Sequence, residues 1–106
     1  LSCILYQRSG DVGLGVPFNI ASYAFLTHLL ANHCQLEAKE LIHFIGNAHI
    51  YDDHKCSLEE QLKRTPFEFP TISIKNTHSN INDYKLNDFE INNYLFHKKV
   101  KMNMRV

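Results

Sequence analysis

Three of the four glycines in this 106-residue chain fall between positions 10 and 15. They separate two long runs of opposite character. Residues 2–8, "SCILYQR", hold no breaker and are rich in Cys, Ile, Leu and Tyr, so they read as a buried strand. Residues 18–33 carry Ile20, Ala21, Ala24, Phe25, Leu29 and Leu30 at largely helical spacing, with Pro17 suited to the first turn and Asn32 and Gln35 marking the end. This second run is apolar nearly all round, which predicts a long, deeply buried helix. Strand alternation sends Arg8 and Ser9 to opposite faces. For both to reach one ligand the strand must end or bend, and Gly10 is the expected place.

The rest of the chain reads more coarsely. Residues 40–51, "ELIHFIGNAHIY", alternate as a strand, and Asp52-Asp53 predicts a turn that caps a helix. "SLEEQLKRT" at 57–65 predicts an amphipathic helix, with Leu58 and Leu62 one turn apart and Ser57 and Glu60 in capping-box positions. Pro66 and Pro70 end it. Residues 71–75, 89–94 and 99–104 are strand candidates, whereas the Asn-rich segment 76–87 reads as a turn-like and mobile surface stretch. No internal repeat or composition shift divides the chain, so residues 1–106 are expected to form one α+β unit, a mixed β-sheet packed against the long buried helix.

Composition narrows the functional classes. Eleven basic residues balance eleven acidic ones, so no global field draws the chain to nucleic acid or to a membrane, and any anion site must be local. The apolar runs are too short to span a bilayer, and no signal-peptide pattern is present. Cys3, Cys34 and Cys56 are odd in number and lack a C-x-x-C pair, which predicts packed or inert thiols in a reducing, cytoplasmic setting. His28 and His33 are five apart on the helix and share no metal-binding face, and His49 and His54 sit in no ligand pattern, so no metal is expected. The chain begins in mid-strand with no Met before it, which leads us to expect a piece of a longer polypeptide.

The glycine-rich stretch has two readings on its chemistry. Arg8 offers a planar fork of donors suited to a phosphate, Ser9 adds a hydroxyl, and Gly13 and Gly15 permit close backbone approach. Asn19 has the paired donor and acceptor that a nucleobase edge requires. A plain strand-to-helix turn remains the alternative, because neither a P-loop nor a dinucleotide fingerprint is present. His49 and Tyr51, two apart, face one way on a strand and could hold a sugar hydroxyl or simply pack together.

Taken together, "LYQRSGDVGLGVPFNIASYAFLTHLLA", "GNAHIYDDH", "EQLKRTPFEFP" and the final "KMNMRV" resemble thymidylate synthase, in order and over nearly the whole chain. The string Q-R-S-x-D-x-x-L-G-x-P-F-N-I-A-S-Y carries the resemblance, and it is weakest between residues 76 and 96. The resemblance implies the C-terminal portion of that fold and an enzyme, a methyltransferase of dTMP biosynthesis, that methylates dUMP reductively with 5,10-methylenetetrahydrofolate as cosubstrate. It implies substrate contacts from Gln7, Arg8, Ser9, Asn19, His49 and Tyr51. Arg8 and Ser9 would take the phosphate, Asn19 the uracil edge, and His49 with Tyr51 the ribose 3′-hydroxyl. Asp11, Gly15 and Val106 would contact folate, Val106 as part of a closing C-terminus, while Arg8, Asp11 and Asn19 would have catalytic roles. The family pattern also implies a homodimer with a sheet-on-sheet interface.

Departures accompany the resemblance. The nucleophilic Cys of the family lies upstream of Leu1, and Cys3 is not its equivalent. Gly10 stands where many members have Cys or Ala, Asn47 where many have Asp, and Arg105 where a small residue is usual. Two alternatives stay open: the tail of a bifunctional dihydrofolate reductase–thymidylate synthase, and a non-catalytic remnant that keeps only nucleotide binding. The isolated 106 residues are expected to be inactive, with open sheet edges that disfavour a stable monomer.

Overall fold

The computed structural model describes residues 1–105. The breaker-free first run forms strand β1, Ser2–Asp11, and the apolar second run forms helix α1, Gly15–His33. Strand β2, Glu40–His49, returns parallel to β1, in register from Ser2 opposite Glu40 to Asp11 opposite His49. A parallel pair needs a crossover, and α1 is that crossover. A 3₁₀ turn at Asp52–His54 leads into helix α2, Lys55–Leu62. Strands β3, Thr71–Ile74, and β4, Phe89–Asn92, then pair antiparallel. Helix α1 packs on β1, β2 and β3, so it is the element shared by the two sheets. The α and β content matches the α+β expectation. The single mixed sheet does not form: among the described residues the strands make one parallel and one antiparallel pair.

The helix departs from expectation in its burial. Of α1 only Thr27 and Ala31 are buried, one turn apart on one face, and Thr27 returns its hydroxyl to the Tyr23 carbonyl at 2.7 Å. Phe18 is 72% exposed and Ile20 47%, because two two-stranded sheets cover only one side of a helix that is apolar on every side. The shortage extends to the whole chain. A compact monomer of 12.3 kDa exposes about 6,100 Å² by mass scaling, whereas this one exposes 8560 Å². Its radius of gyration of 16.1 Å likewise exceeds the roughly 13 Å of a compact chain of this length.

Local chemistry explains the element ends. Helix α1 stops in a Schellman motif, with Leu36 N–H donating to the Ala31 carbonyl at 2.8 Å and Gln35 N–H to Asn32 at 3.1 Å. Gln35 takes the left-handed conformation, φ 56°, that glycine usually supplies there. Helix α2 starts earlier than the expected capping box, at Lys55, so Ser57 lies inside it and donates instead to the Lys101 carbonyl at 3.0 Å. Asp52 and Asp53 fall in the 3₁₀ turn before α2 and make no side-chain cap.

Residues 99–104 do not form a strand. Side chains from the α2 region take carbonyls that a ladder would need, Ser57 that of Lys101 and His54 that of Asn103, and Arg64 takes that of Lys98 just before the segment. The Asn-rich segment 76–87 is also more ordered by contacts than its composition implies. It carries 3₁₀ turns at Ile81–Asp83 and Leu86–Asp88 and closes on Asp88. That buried carboxylate accepts from Lys85 N–H at 2.7 Å, Asn76 Nδ2 at 2.7 Å and His78 Nε2 at 2.9 Å. The Lys85 amide first, then Asn76 and His78, hold its carboxyl down at about 2 against the opposing effect of burial.

Candidate functional site

The glycine-rich stretch is extended up to Asp11 and turns only afterwards. Strand β1 does not end at Gly10, because the pairs Ser9–Asn47, Gly10–Ala48 and Asp11–His49 carry the ladder to Asp11, but the register passes over Arg8 between Gln7–Ile45 and Ser9–Asn47. A Cβ on Gly10 would stand 3.4 Å from Gln7 Nε2, on the face that Gln7 occupies, so strict alternation is interrupted between Gln7 and Gly10, where Arg8 and Ser9 lie. Arg8 lies on the exposed face beside the stacked rings of Tyr6 and Phe44, whose centroids are 5.0 Å apart. Gly10 also has a packing reason. A Cβ there would stand 2.8 Å from Val16 Cγ2 and 3.3 Å from Ile45 Cγ2, so the missing side chain lets α1 begin close against the sheet.

The opposite face of β1 gathers most of the candidate residues. Gln7 Nε2 donates both to the Ser9 carbonyl and to Asn19 Oδ1, each at 2.9 Å. Its Oε1 pairs with His43 Nε2 at 2.8 Å and must accept there, which places a proton on that His43 nitrogen. With both polar atoms of the amide engaged in three hydrogen bonds, Gln7 fixes the orientation of Asn19 in the first turns of α1. Asp11 Oδ1 accepts from Gly13 N–H at 2.9 Å. Gly15 sits between the two: a Cβ on it would lie 3.5 Å from Asp11 Cβ and 3.8 Å from Asn19 Oδ1.

The end of β2 completes the group. His49 is the register partner of Asp11, and its carbonyl accepts from Val12 N–H at 2.9 Å. Its ring meets Tyr51 edge-on at 5.3 Å, although Tyr51 lies past the end of the strand. Tyr51 in turn meets His54 edge-on at 5.5 Å. Beside Gly13 runs a cavity of about 410 Å³ lined by apolar Leu14, Phe18, Val100 and Met102 and by polar groups that include Arg64 and Lys98. Apolar walls with a basic and polar flank suit a ligand that has an apolar body and polar edges.

The structure thus groups Gln7, Asn19, Asp11, Gly15, His49 and Tyr51 near the turn, and leaves Arg8 exposed. Val106 lies outside the described residues. Sequence reading missed two contributors, His43 and His54. His43 had a signal, since it alternates with Leu41 and Ile45 on the strand paired with β1. His54 had none, because the residues it meets come from both ends of the chain. Among the described residues no group of three or more His, Cys, Asp or Glu side chains is placed to hold a metal, and no helix is long and apolar enough to cross a membrane.

Comparison with known proteins gives this geometry a context. The family model for thymidylate synthase matches residues 1–106. The chain is similar to the thymidylate synthase of Saccharomyces cerevisiae, 53% identical over 106 residues, which covers all of this chain and 35% of that protein. It is equally similar to the bifunctional dihydrofolate reductase-thymidylate synthase of Plasmodium berghei, 53% over 104 residues, or 98% of this chain and 18% of that protein. The bifunctional protein of Leishmania major is 51% identical over 106 residues, all of this chain and 20% of that protein. The chain spans about a third of the monofunctional relatives it matches and about a fifth of the bifunctional ones. With its whole length matched by one family, and with about half its residues shared with proteins of that name, the chain belongs to the thymidylate synthase family.

Proposed function

We propose that this chain works as the C-terminal portion of a thymidylate synthase, in one domain with further polypeptide that supplies the nucleophilic Cys. The product would be dTMP, formed from dUMP with 5,10-methylenetetrahydrofolate, in a cytoplasmic homodimer. The observation that carries the reading is the uninterrupted family match over residues 1–106. The surface of 8560 Å², well beyond that of a compact chain of this mass, supports packing against further polypeptide.

The proposed roles follow from chemistry at each position. Asn19, fixed by Gln7, presents its amide to the uracil edge, and cytosine is rejected because the same polar atoms would be left unpaired. Arg8, at the sheet surface, carries the charge for the phosphate and favours thiolate in a nearby Cys. Ser9 is assigned to the phosphate by resemblance alone. His49 and Tyr51, edge to edge, hold the ribose hydroxyl. Asp11, with one oxygen held by Gly13 N–H, offers the other to the folate ring system, and Gly15 keeps the backbone thin beside it. The cavity lined by Leu14, Phe18, Val100 and Met102 fits the apolar body of folate. When bound, that cosubstrate supplies the one-carbon unit and the reducing hydride. The C-terminal segment, Val106 included, excludes water from the closed site.

The test is covalent capture. Full-length protein incubated with 5-fluoro-dUMP and methylenetetrahydrofolate forms a ternary adduct, visible as a mass increase of the intact protein. No adduct in a protein that binds dUMP would leave the non-catalytic remnant as the correct reading. The intact mass also separates a monofunctional synthase from one fused to dihydrofolate reductase.

A further inference from the structure

His54 is fully buried, yet one of its two ring nitrogens has no hydrogen-bond partner among the described residues. Its Nε2 lies 2.7 Å from the Asn103 carbonyl, which can only accept, so that nitrogen carries a proton. The unpartnered Nδ1 is 3.7 Å from Asp11 Oδ1. It also abuts Gly13: a Cβ on that glycine would fall 2.7 Å from Nδ1 and 3.2 Å from Met102 Sδ. The ring is therefore wedged between the turn that holds the Asp11 carboxylate and the C-terminal segment. A buried ring nitrogen without a hydrogen-bond partner is costly, and an aliphatic side chain would avoid that cost. Filling space does not account for an imidazole here.

The contacts on either side share this arrangement. Alternate residues of the C-terminal segment meet successive groups around His54: Lys101 carbonyl accepts from Ser57, Asn103 carbonyl from His54, and Arg105 pairs with Asp53 at 2.9 Å. Only the middle contact continues inward, through the His54 ring, to Gly13 and Asp11. Gly13 in turn donates its N–H to Asp11 Oδ1. Any shift of residues 101–105 thus moves the ring against which the Asp11 turn rests.

We propose that His54 is a positioning residue that couples the seating of the C-terminal segment to the orientation of the Asp11 carboxylate. It acts on folate binding and leaves dUMP binding nearly unaffected. The inference rests on the reading of Asp11 as the folate-contacting carboxylate.

The experiment uses the full-length protein with three substitutions. His54→Leu removes both ring nitrogens, His54→Gln keeps an N–H directed toward the Asn103 carbonyl, and Gly13→Ala pushes the ring aside without deleting it. His54→Leu is expected to raise KM for methylenetetrahydrofolate by about tenfold while the dissociation constant for dUMP changes less than about twofold. Carboxypeptidase is expected to release its C-terminal residues faster than those of the parent. His54→Gln restores resistance to carboxypeptidase, and Gly13→Ala reproduces the folate-specific increase in a protein that melts cooperatively. Equal losses of dUMP and folate affinity would overturn the proposal, as would a His54→Gln protein that behaves like His54→Leu. Should His54→Leu fail to fold, the other two variants decide by the same criteria. A parent protein that forms no ternary adduct refutes the functional reading instead, and its carboxypeptidase series still decides whether His54 holds the segment.

Discussion

The contact at Gly10 gives the most direct test of how the helix is seated on the sheet. Gly10→Ala adds one methyl group at a point 2.8 Å from Val16 Cγ2 and 3.3 Å from Ile45 Cγ2. Carbon atoms in contact prefer about 3.5–4.0 Å, so the nearer one must retreat by roughly 0.7 Å or more. Both neighbours are β-branched and stiff about χ1, and Val16 belongs to the first turn of α1. The relief therefore comes from moving the helix, at an overpacking cost of about 1–3 kcal/mol. Reduced freedom of the unfolded chain returns about 0.4–1 kcal/mol, leaving a net loss of about 1–2 kcal/mol. Because α1 also carries Asn19, the Gln7–Asn19 bond is expected to lengthen with it and, under the proposed function, dUMP to bind more weakly. Denaturant unfolding of the full-length protein at fixed protomer concentration measures the loss. Val16→Ala removes the offending methyls, and the double-mutant cycle is expected to give a favourable coupling of about 1 kcal/mol. A Gly10→Ala protein at least as stable as the parent would refute the reasoning. So would a coupling near zero, since the clash would then not lie between these two residues.

Three further substitutions probe other parts of the structure. Gln35→Gly relieves the left-handed residue that closes α1 and is expected to stabilise the protein by about 1 kcal/mol in the same denaturation assay. Gln7→Leu releases the Asn19 amide from its fixed orientation, so KM for dUMP is expected to rise about tenfold with much less change in thermal midpoint. Asp88 is held near 2, below its ordinary 3.8, so its charged form stabilises the fold at any pH above the ordinary value. That contribution is lost as pH falls from 3.8 towards 2, and Asp88→Asn is expected to flatten this part of the stability–pH curve; an unchanged acid limb would show that another group controls it.

Sequence periodicity located the strand, glycine turn and helix closely, because breakers and period are both local properties. At Gly10 the same reasoning saw one requirement of two: the missing side chain was read as freedom to bend, and the close approach of Val16 and Ile45 across space had no local signal. The strand proposed for 99–104 failed for a similar cause: its Lys101 and Asn103 carbonyls go to Ser57 and His54, partners that no alternation pattern encodes. At the site, Gln7, Asp11, Asn19, His49 and Tyr51 stood out by residue type and motif. Their orienting partners did not. His43 reaches Gln7 only through the β1–β2 register, and His54 meets Asp11 only because the C-terminal segment returns to it.

The exposed apolar surface of α1 follows from the same distinction between local and shared requirements. A helix with apolar groups on every side fits no amphipathic pattern for a surface, and two short sheets cover one flank of it. Ala31 is the only apolar side chain among the described residues to be fully withdrawn from water. Yet the polar contacts at the turn are tight: Gln7 to Asn19, Gly13 to Asp11 and His54 to Asn103 all lie within 2.7–2.9 Å. A chain selected only for its own stability would show the reverse, a dense core and a loosely specified rim. Here the hydrogen bonds at the turn are made within the chain, the buried His54 Nδ1 excepted, whereas the apolar faces of α1 and of the Tyr6–Phe44 sheet are left open. Geometry at the turn is therefore set by these residues themselves, and hydrophobic burial is what the rest of a synthase would contribute.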